Sequence, residues 1–280
     1  MLTCSAAADP LHIAVSIIPQ QYLVSRIAGD LAHISVMIPT GHSPHAYEPK
    51  PAQMVSLSKA NLFFSIGVSS ENTWLPRFAE LNRNMTIVDC TEGIAKIPMK
   101  SHHHEDDHHD QHKLVENQGA LDPHVWLSPR RAAFISRNML TAIIKADPAN
   151  AETYIENYKK SASDIMMLDM KLLRLFSQTT GAFFVFHPAW GYLAHDYGLE
   201  QIPIELEGKE PKPRDLALLI ATAKQKKIGA VFVQPQISKR AAEIIAGEIN
   251  ARVVVADPLA AEWMENLESV ARAFAGELKQ

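Results

Sequence analysis

The sequence has little of what several common classes of protein need. Its 280 residues include only two cysteines, Cys4 and Cys90, and no Cys-x-x-Cys pair. Thiolate zinc sites and cysteine redox chemistry are therefore not expected. No apolar run approaches the roughly 18 residues of a membrane-spanning helix. The formal net charge is −4, so there is no basic field to attract nucleic acid.

Histidine, in contrast, is abundant. The chain has 13 histidines, and a cluster of them lies between His102 and His112 among acidic residues. This histidine-rich segment, residues 100–119, has no apolar periodicity, which predicts an exposed loop. Its imidazoles and carboxylates suit transient binding of zinc or copper. Because ordering such a loop costs conformational entropy, the tight metal site is expected elsewhere.

The amino terminus carries one signal for export. Ala6-Ala7-Ala8 has the small-x-small form of a signal-peptidase site, which predicts cleavage before Asp9 and makes residues 1–8 the remnant of a signal. One alternative is the frayed terminus of a cytosolic protein. Another is lipidation of Cys4, for which Thr3 is a poor preceding residue.

Short β-branched runs alternate with segments of helical periodicity in both halves of the chain. This alternation predicts an α/β fold of parallel sheets with crossover helices. The predicted strands fall into two sets of four, His12–Ile18, Ile34–Ile38, Leu62–Ile66 and Met85–Val88, then Phe183–Phe186, Gln201–Ile204, Ala230–Val233 and Val253–Val255. The two sets predict two small α/β lobes.

An apolar stripe of helical period connects the two sets. It begins at Asp147-Pro148, a good helix start, and continues to about Gln178. One uninterrupted helix is predicted, with two shorter helices broken near residues 161–163 as the alternative. The predicted organisation is an N-terminal α/β lobe over 1–147, a linking helix over 148–178 and a C-terminal α/β lobe over 179–280.

Three histidines stand beside prolines at the ends of predicted elements. His45 follows the second strand, His124 precedes a helix, and His187 follows the fifth strand. Ligands of open α/β sheets bind beyond the carboxyl ends of the strands, so the position of His187 suits a site. Each histidine alone is more often structural, but the three together are candidate metal ligands. Asp122 is a candidate acceptor that would orient one of them.

The surrounding motifs resemble those of the zinc- and manganese-binding receptors of bacterial metal ABC importers. The resemblance covers nearly the whole chain from His12 onward. It rests on six segments in order, Pro44–Pro49, Asp122–Leu127, His187–Tyr192, Glu207–Pro211, Gln234–Gln236 and Asp257–Leu259. It implies two parallel-sheet lobes joined by one long rigid helix, with a metal cleft between them. It also implies a high-affinity periplasmic zinc receptor rather than an enzyme.

The same resemblance implies the ligands. His45 and His124 would bind from the N-terminal lobe, and His187 and Asp257 from the C-terminal lobe. Members that favour manganese tend to have a carboxylate at the position of His187, and three nitrogens suit Zn²⁺ better than Mn²⁺. Some zinc receptors have glutamate where this chain has Pro44, so water and Glu207 stay open as alternatives to Asp257.

The expected partner is the transmembrane permease of an ABC importer, and a periplasmic metallochaperone is a second candidate. The chain is expected to be a monomer. The alternative functions are a manganese receptor or a metal-dependent adhesin of the same fold. A zinc hydrolase is a further alternative, but the sequence has no HExxH motif, and Glu205, Glu207 or Glu210 would have to supply the base.

Overall fold

A computed structural model of the protein describes residues 9–99, 120–205, 211–236 and 239–278. The predictions for the signal remnant at residues 1–8, for Cys4, for the histidine-rich segment 100–119 and for Glu207 lie outside these residues. Across the described ranges, no helix has both the length and the apolar character needed to span a bilayer.

The strands form two four-stranded parallel sheets, as the alternating pattern predicted. The strands are β1 (Leu11–Val15), β2 (Ala32–Val36), β3 (Leu62–Ser65), β4 (Thr86–Asp89), β5 (Ala182–Val185), β6 (Glu200–Pro203), β7 (Ala230–Val233) and β8 (Arg252–Val255). The strand order is β2-β1-β3-β4 in the first sheet and β6-β5-β7-β8 in the second. Each of the eight predicted strands is found, with its ends shifted by no more than three residues.

The inner strands explain why a parallel sheet forms. Every residue of β3, β5 and β7 is buried, and their sequences are nearly continuous apolar runs. Such runs are typical of parallel strands that helices cover on both faces. The outer strands β4 and β8 are partly exposed and begin with polar residues.

Nine α-helices lie in the described ranges. They are α1 (Ile18–Ala28), α2 (Pro51–Leu57), α3 (Glu71–Leu81), α4 (Pro129–Ala146), α5 (Ala151–Phe176), α6 (Gly191–Tyr197), α7 (Pro213–Gln225), α8 (Lys239–Glu248) and α9 (Trp263–Leu278). The long helix α5 has 26 residues without a break, after a single 3₁₀ turn at Pro148–Asn150. The prediction of one long helix is confirmed, and the alternative of two helices is wrong.

Contacts divide the chain into two compact units. Unit 1 comprises the residues up to Gly93 together with Ala133–Asp164, and unit 2 comprises Ile94–Ala132 with Ile165–Gln280. Unit 1 therefore holds the first sheet, unit 2 holds the second, and α4 and α5 contribute residues to both. By its contacts His124 belongs to unit 2, although the sequence order placed it in an N-terminal lobe. The boundaries at residues 147 and 178 stay a prediction.

Aromatic side chains attach a helix to the sheet in each unit. In unit 1, Phe78 of α3 meets Phe63 of β3 edge to face, with ring centroids 5.3 Å apart. In unit 2, Phe274 of α9 stacks on Phe183 of β5 at 4.1 Å and meets Phe232 of β7 at 4.5 Å. Full burial of one such ring stabilises the fold by roughly 1.5–3 kcal/mol. These contacts hold a helix against the sheet in each unit.

Candidate metal centre

Unit 2 brings two of the predicted ligand histidines together. His124 lies at the start of the 3₁₀ turn Val125–Leu127, and His187 lies just past the end of β5. Their Nε2 atoms are 3.4 Å apart. Both side chains are buried, with exposed fractions of 5% for His124 and 8% for His187.

A carboxylate faces the other ring nitrogen of each histidine. Asp122 Oδ1 lies 2.8 Å from His124 Nδ1, and Glu205 Oε1 lies 2.5 Å from His187 Nδ1. Since an ionised carboxylate only accepts hydrogen bonds, we assign the proton of each ring to Nδ1. The lone pair of each ring is then on Nε2. Carboxylates hold zinc-binding histidines in this tautomer and make them stronger ligands.

The spacing of the two Nε2 atoms fits a tetrahedral zinc ion. Two nitrogens that both carry lone pairs repel each other at 3.4 Å unless a cation or a proton lies between them. Zn–N bonds of about 2.0–2.1 Å at the tetrahedral angle place two ligand nitrogens about 3.3–3.4 Å apart. The pair therefore has both the chemistry and the separation that zinc requires.

The protonation state of His124 also suits a metal ligand. Burial lowers the pKa of His124, and Asp122 opposes part of that shift by stabilising the charged ring. The lowered pKa keeps His124 neutral near pH 7. A neutral imidazole binds a metal ion without first releasing a proton.

Hydrogen bonds and a close glycine hold Asp122 and its carboxylate in position. The Tyr192 hydroxyl donates to the Asp122 carbonyl at 2.8 Å, and the His124 N–H donates to Asp122 Oδ1 at 2.8 Å. A Cβ atom at Gly191 would lie 2.5 Å from Asp122 Oδ2, so only glycine permits this approach. The orientation of His124 thus depends on residues nearly seventy positions away.

Two tryptophans fix the turn that follows His124. The Trp126 indole N–H donates to the Pro258 carbonyl at 2.7 Å, and the Trp263 indole N–H donates to the Trp126 carbonyl at 2.9 Å. Both indoles are buried, with about 1% of Trp126 and of Trp263 exposed. Because the turn is tied to the loop after β8 and to α9, His124 has little freedom to move.

His45 belongs to unit 1 and has a different setting. It is exposed and lies in the loop between β2 and α2. Its Nδ1 lies 3.3 Å from the Ser69 hydroxyl, a longer and weaker contact than those of the two buried histidines. A hydroxyl carries no charge, so it raises the basicity of the ring less than a carboxylate does.

The loop that carries Ser69 is held by a buried glutamate. Glu71 accepts hydrogen bonds from the backbone N–H groups of Ile66 at 2.9 Å and Gly67 at 2.7 Å, and also from the Ser16 hydroxyl. Burial raises the pKa of Glu71, while these hydrogen bonds oppose the shift. The partner of His45 therefore lies in a short loop whose first residues are fixed.

The fourth predicted ligand, Asp257, lies in the loop after β8 in unit 2. Its Oδ1 accepts hydrogen bonds from Gln236 Nε2 at 3.0 Å and from the Leu259 N–H at 2.9 Å. Its backbone carbonyl accepts one from Asn266 Nδ2 at 2.7 Å. These bonds fix the loop and one carboxylate oxygen.

Two residues of this region were not predicted in their present roles. From the sequence, Glu205 is a candidate only for the base of a hydrolase, and Ser69 is not a candidate at all. A signal for Glu205 existed, because it follows β6, which is the neighbour of β5, and His187 follows β5. Parallel neighbours end at the same edge of a sheet, so the two side chains could have been paired. Nothing in the sequence distinguishes Ser69 from other loop serines.

Comparison with known proteins agrees with this geometry. Residues 13–276 match the model of the family described as zinc-uptake complex component A, periplasmic. The high-affinity zinc uptake system protein ZnuA of Bacillus subtilis is 31% identical over 258 residues, which cover 90% of this chain and 79% of that protein. A crystal structure of ZnuA is 38% identical with a TM-score of 0.88, covering 96% of this chain and 100% of the other.

A further crystal structure, of a ZnuA deletion mutant with zinc bound, is 37% identical with a TM-score of 0.87 and covers 96% of this chain and 98% of that one. The family match extends over almost the whole described chain, including both sheets and all three candidate histidines. This protein belongs to the family of the periplasmic component A of zinc-uptake complexes.

Proposed function

We propose that this protein captures Zn²⁺ in the periplasm and delivers it to the permease of an ABC importer. The observation that carries the proposal is the buried pair His124 and His187, with Nε2 atoms 3.4 Å apart and a carboxylate on each Nδ1. Zinc is the cargo of this site, and we assign no catalytic step to it. We further propose that the protein acts as a monomer and that a periplasmic metallochaperone is a second partner.

We assign His45 as the third ligand. Its exposure leaves the ring able to adjust to an ion, and because its Nδ1 lies beside the Ser69 hydroxyl, we assign Nε2 to the metal. A metal ion favours the arrangement of the chain in which every ligand reaches it. Release to an importer then requires that this arrangement be disrupted.

We assign Asp257 as the fourth ligand, with water or Glu207 as alternatives. Asp257 Oδ1 is already used by Gln236 and Leu259. Among the described residues no partner is recorded for Oδ2, so this is the oxygen that we assign to the ion. Replacing Asp257 with alanine should lower zinc affinity, whereas an unchanged affinity would favour water or Glu207.

Metal analysis of protein purified without nickel chromatography tests the function directly. We expect zinc in the wild-type protein and its loss in His124→Ala. The matched control is His195→Ala, because that imidazole is 57% exposed and its Nδ1 lies 2.9 Å from Asp196 Oδ1. Zinc retained by His124→Ala at the wild-type level would contradict the assignment. Turnover of an ester or peptide that stops in His124→Ala would instead indicate a zinc hydrolase.

The choice of zinc over manganese is tested by competition between the two ions. His187→Glu replaces a nitrogen ligand with oxygen, which manganese prefers, so zinc should lose affinity relative to manganese. Equal relative affinities in the variant and the wild-type protein would contradict the role of His187.

A further inference from the structure

Two other histidines lie side by side on the first sheet. His12 of β1 and His33 of β2 are directly opposite each other in the parallel ladder. Opposed residues of parallel strands point to the same face, and neighbouring strands lie about 4.8 Å apart. The two imidazole rings have centroids 5.4 Å apart and planes inclined by 44°.

Both rings are available to a ligand from solvent. His12 and His33 are exposed. Within the described ranges, neither imidazole has a hydrogen-bond partner, and their recorded ring contact is with each other. Two other surface histidines differ, since His42 Nδ1 contacts the Thr40 carbonyl and His195 Nδ1 contacts Asp196. The nitrogens of His12 and His33 are thus not committed to the protein.

The backbone beneath the pair is rigid. β1 is an inner strand, paired with β2 on one side and β3 on the other. Asn61 fixes His12 further, because Asn61 Oδ1 accepts from the His12 N–H at 2.8 Å and the Asn61 N–H donates to the His12 carbonyl at 2.7 Å. Binding an ion would therefore restrict only the side-chain torsions of the two histidines, which limits the entropy lost.

We propose that His12 and His33 form a second metal site, which binds Zn²⁺ or Cu²⁺ through one nitrogen of each ring with water as the remaining ligands. Zn–N bonds of about 2.0–2.1 Å at the tetrahedral angle place the centroids of two bound imidazoles about 5.2 Å apart. The observed 5.4 Å is close to this value. It is also close to the 5.1 Å between the rings of His124 and His187.

This site is separate from the proposed receptor site. His12 and His33 are the second residues of their strands, at the amino end of the ladder, whereas His45 follows the carboxyl end of β2. With two protein ligands in contact with water, the site binds more weakly than one with three or four buried ligands. It fills at zinc concentrations above those that saturate the tight site.

Site-resolved titration tests the pair in the full-length protein. The imidazole NMR signals of His12 and His33, assigned with the variants His12→Ala and His33→Ala, are followed as zinc is added to protein that already holds one equivalent. We expect both signals to respond with a single apparent Kd. Because two linked ligands bind far more tightly than one, His33→Ala should weaken the response of His12 by roughly 100-fold.

His195→Ala serves as the matched control and should leave the response unchanged, because no ring contact between His195 and another imidazole is found in the described part of the chain. Circular dichroism checks that each variant is folded, and Mg²⁺ should produce no response because it prefers oxygen ligands. The proposal is overturned if His12 responds to zinc equally in the wild-type protein and in His33→Ala. It is also overturned if both signals are unaffected by millimolar zinc.

Discussion

The two sheets have the same strand order, yet the candidate ligands near them are held in different ways. In unit 2 His124 and His187 are buried, and each has a carboxylate on Nδ1. In unit 1 His45 is exposed, and the Ser69 hydroxyl lies 3.3 Å from its Nδ1. The shared topology therefore determines only the position of a candidate ligand relative to the end of a strand. The residues around each imidazole decide how strongly it is oriented and polarised.

This difference has an energetic consequence. The buried pair of unit 2 is already ordered, so as the proposed ligands the two rings would lose little conformational freedom on binding zinc, and their carboxylate partners would make both nitrogens stronger ligands. The exposed ring of His45 must be ordered on binding. We expect the pair in unit 2 to contribute most of the zinc affinity and His45 to contribute less.

The largest expected effect is the loss of one imidazole of the pair. His187→Ala removes a proposed ligand and leaves Glu205 buried without its partner. We expect zinc affinity to fall by more than about 100-fold, which is the upper end of the loss expected from changing the partner of a ligand. His45→Ala should lower zinc affinity by a smaller factor. Chelator competition measures both Kd values. A larger loss in His45→Ala than in His187→Ala would reverse the comparison between the units.

Removing the partner of each ligand gives the second largest effect. Glu205→Ala leaves His187 in place but without its acceptor, which should weaken zinc binding by about 10–100-fold. Ser69→Ala should weaken it by less than about 10-fold, because a neutral hydroxyl polarises His45 less. The same competition assay reports both values, with thermal unfolding as the check on folding. Equal losses of zinc affinity in the two variants would mean that the carboxylate and the hydroxyl support their histidines equally well.

The strands and the long helix were predictable because their signals are local. The buried runs of β3, β5 and β7 are apolar and flanked by polar turns, and α5 continues its apolar stripe without glycine or proline. The candidate histidines were found from the motifs around them. Zinc as the metal of the family was also predicted and is confirmed.

Contacts between distant segments were harder to predict. The bond between His187 and Glu205 depends on the pairing of β5 with β6, so it can be predicted only once those two strands are taken to be neighbours. In the same way, Asp122 and Trp126 precede the long helix in sequence, but their hydrogen-bond partners Tyr192 and Pro258 follow it. A sequence shows the order of segments, whereas the grouping of their side chains depends on the folded chain.

The next effect, smaller than that of Glu205→Ala, is expected from the glycine beside Asp122. In Gly191→Ala the new Cβ would lie 2.5 Å from Asp122 Oδ2 and displace the carboxylate. Such crowding in a packed region costs about 1–3 kcal/mol of stability. Zinc affinity should fall by about 10-fold because Asp122 orients His124. Thermal unfolding and zinc competition measure the two effects.

The matched control for Gly191→Ala is Gly276→Ala, since a Cβ at Gly276 meets nothing within 4 Å. Gly276 lies inside α9, where alanine is the better helix former, so this variant should be as stable as the wild-type protein or slightly more stable. If Gly191→Ala binds zinc as the wild-type protein does, the position of Asp122 is unimportant for the pair.

The smallest expected effect concerns how the free energy of unfolding of the metal-free protein depends on pH. One buried group in each unit contributes to this dependence, and the two contributions have opposite signs. Burial lowers the pKa of His124, so the unfolded chain takes up a proton on this residue at a higher pH than the folded chain does. The stabilising contribution of neutral His124 is therefore present above the unfolded pKa of about 6.5 and is lost as the pH falls below it. Glu71 in unit 1 behaves in the opposite way, because its raised pKa makes its contribution fall as the pH rises above about 4.5.

Denaturant unfolding of the metal-free protein between pH 5 and pH 7 separates these two contributions. His124→Asn has no titrating group at this position, so its stability should decrease less than that of the wild-type protein between pH 7 and pH 5. The difference should be about 1.4 kcal/mol for each pH unit over which only the unfolded wild-type chain is protonated at His124. A variant that loses stability on acidification as steeply as the wild-type protein would show that the buried imidazole of unit 2 does not control the acid sensitivity of the fold. The steepness would then have to come from other groups, and the two units would not differ in this respect.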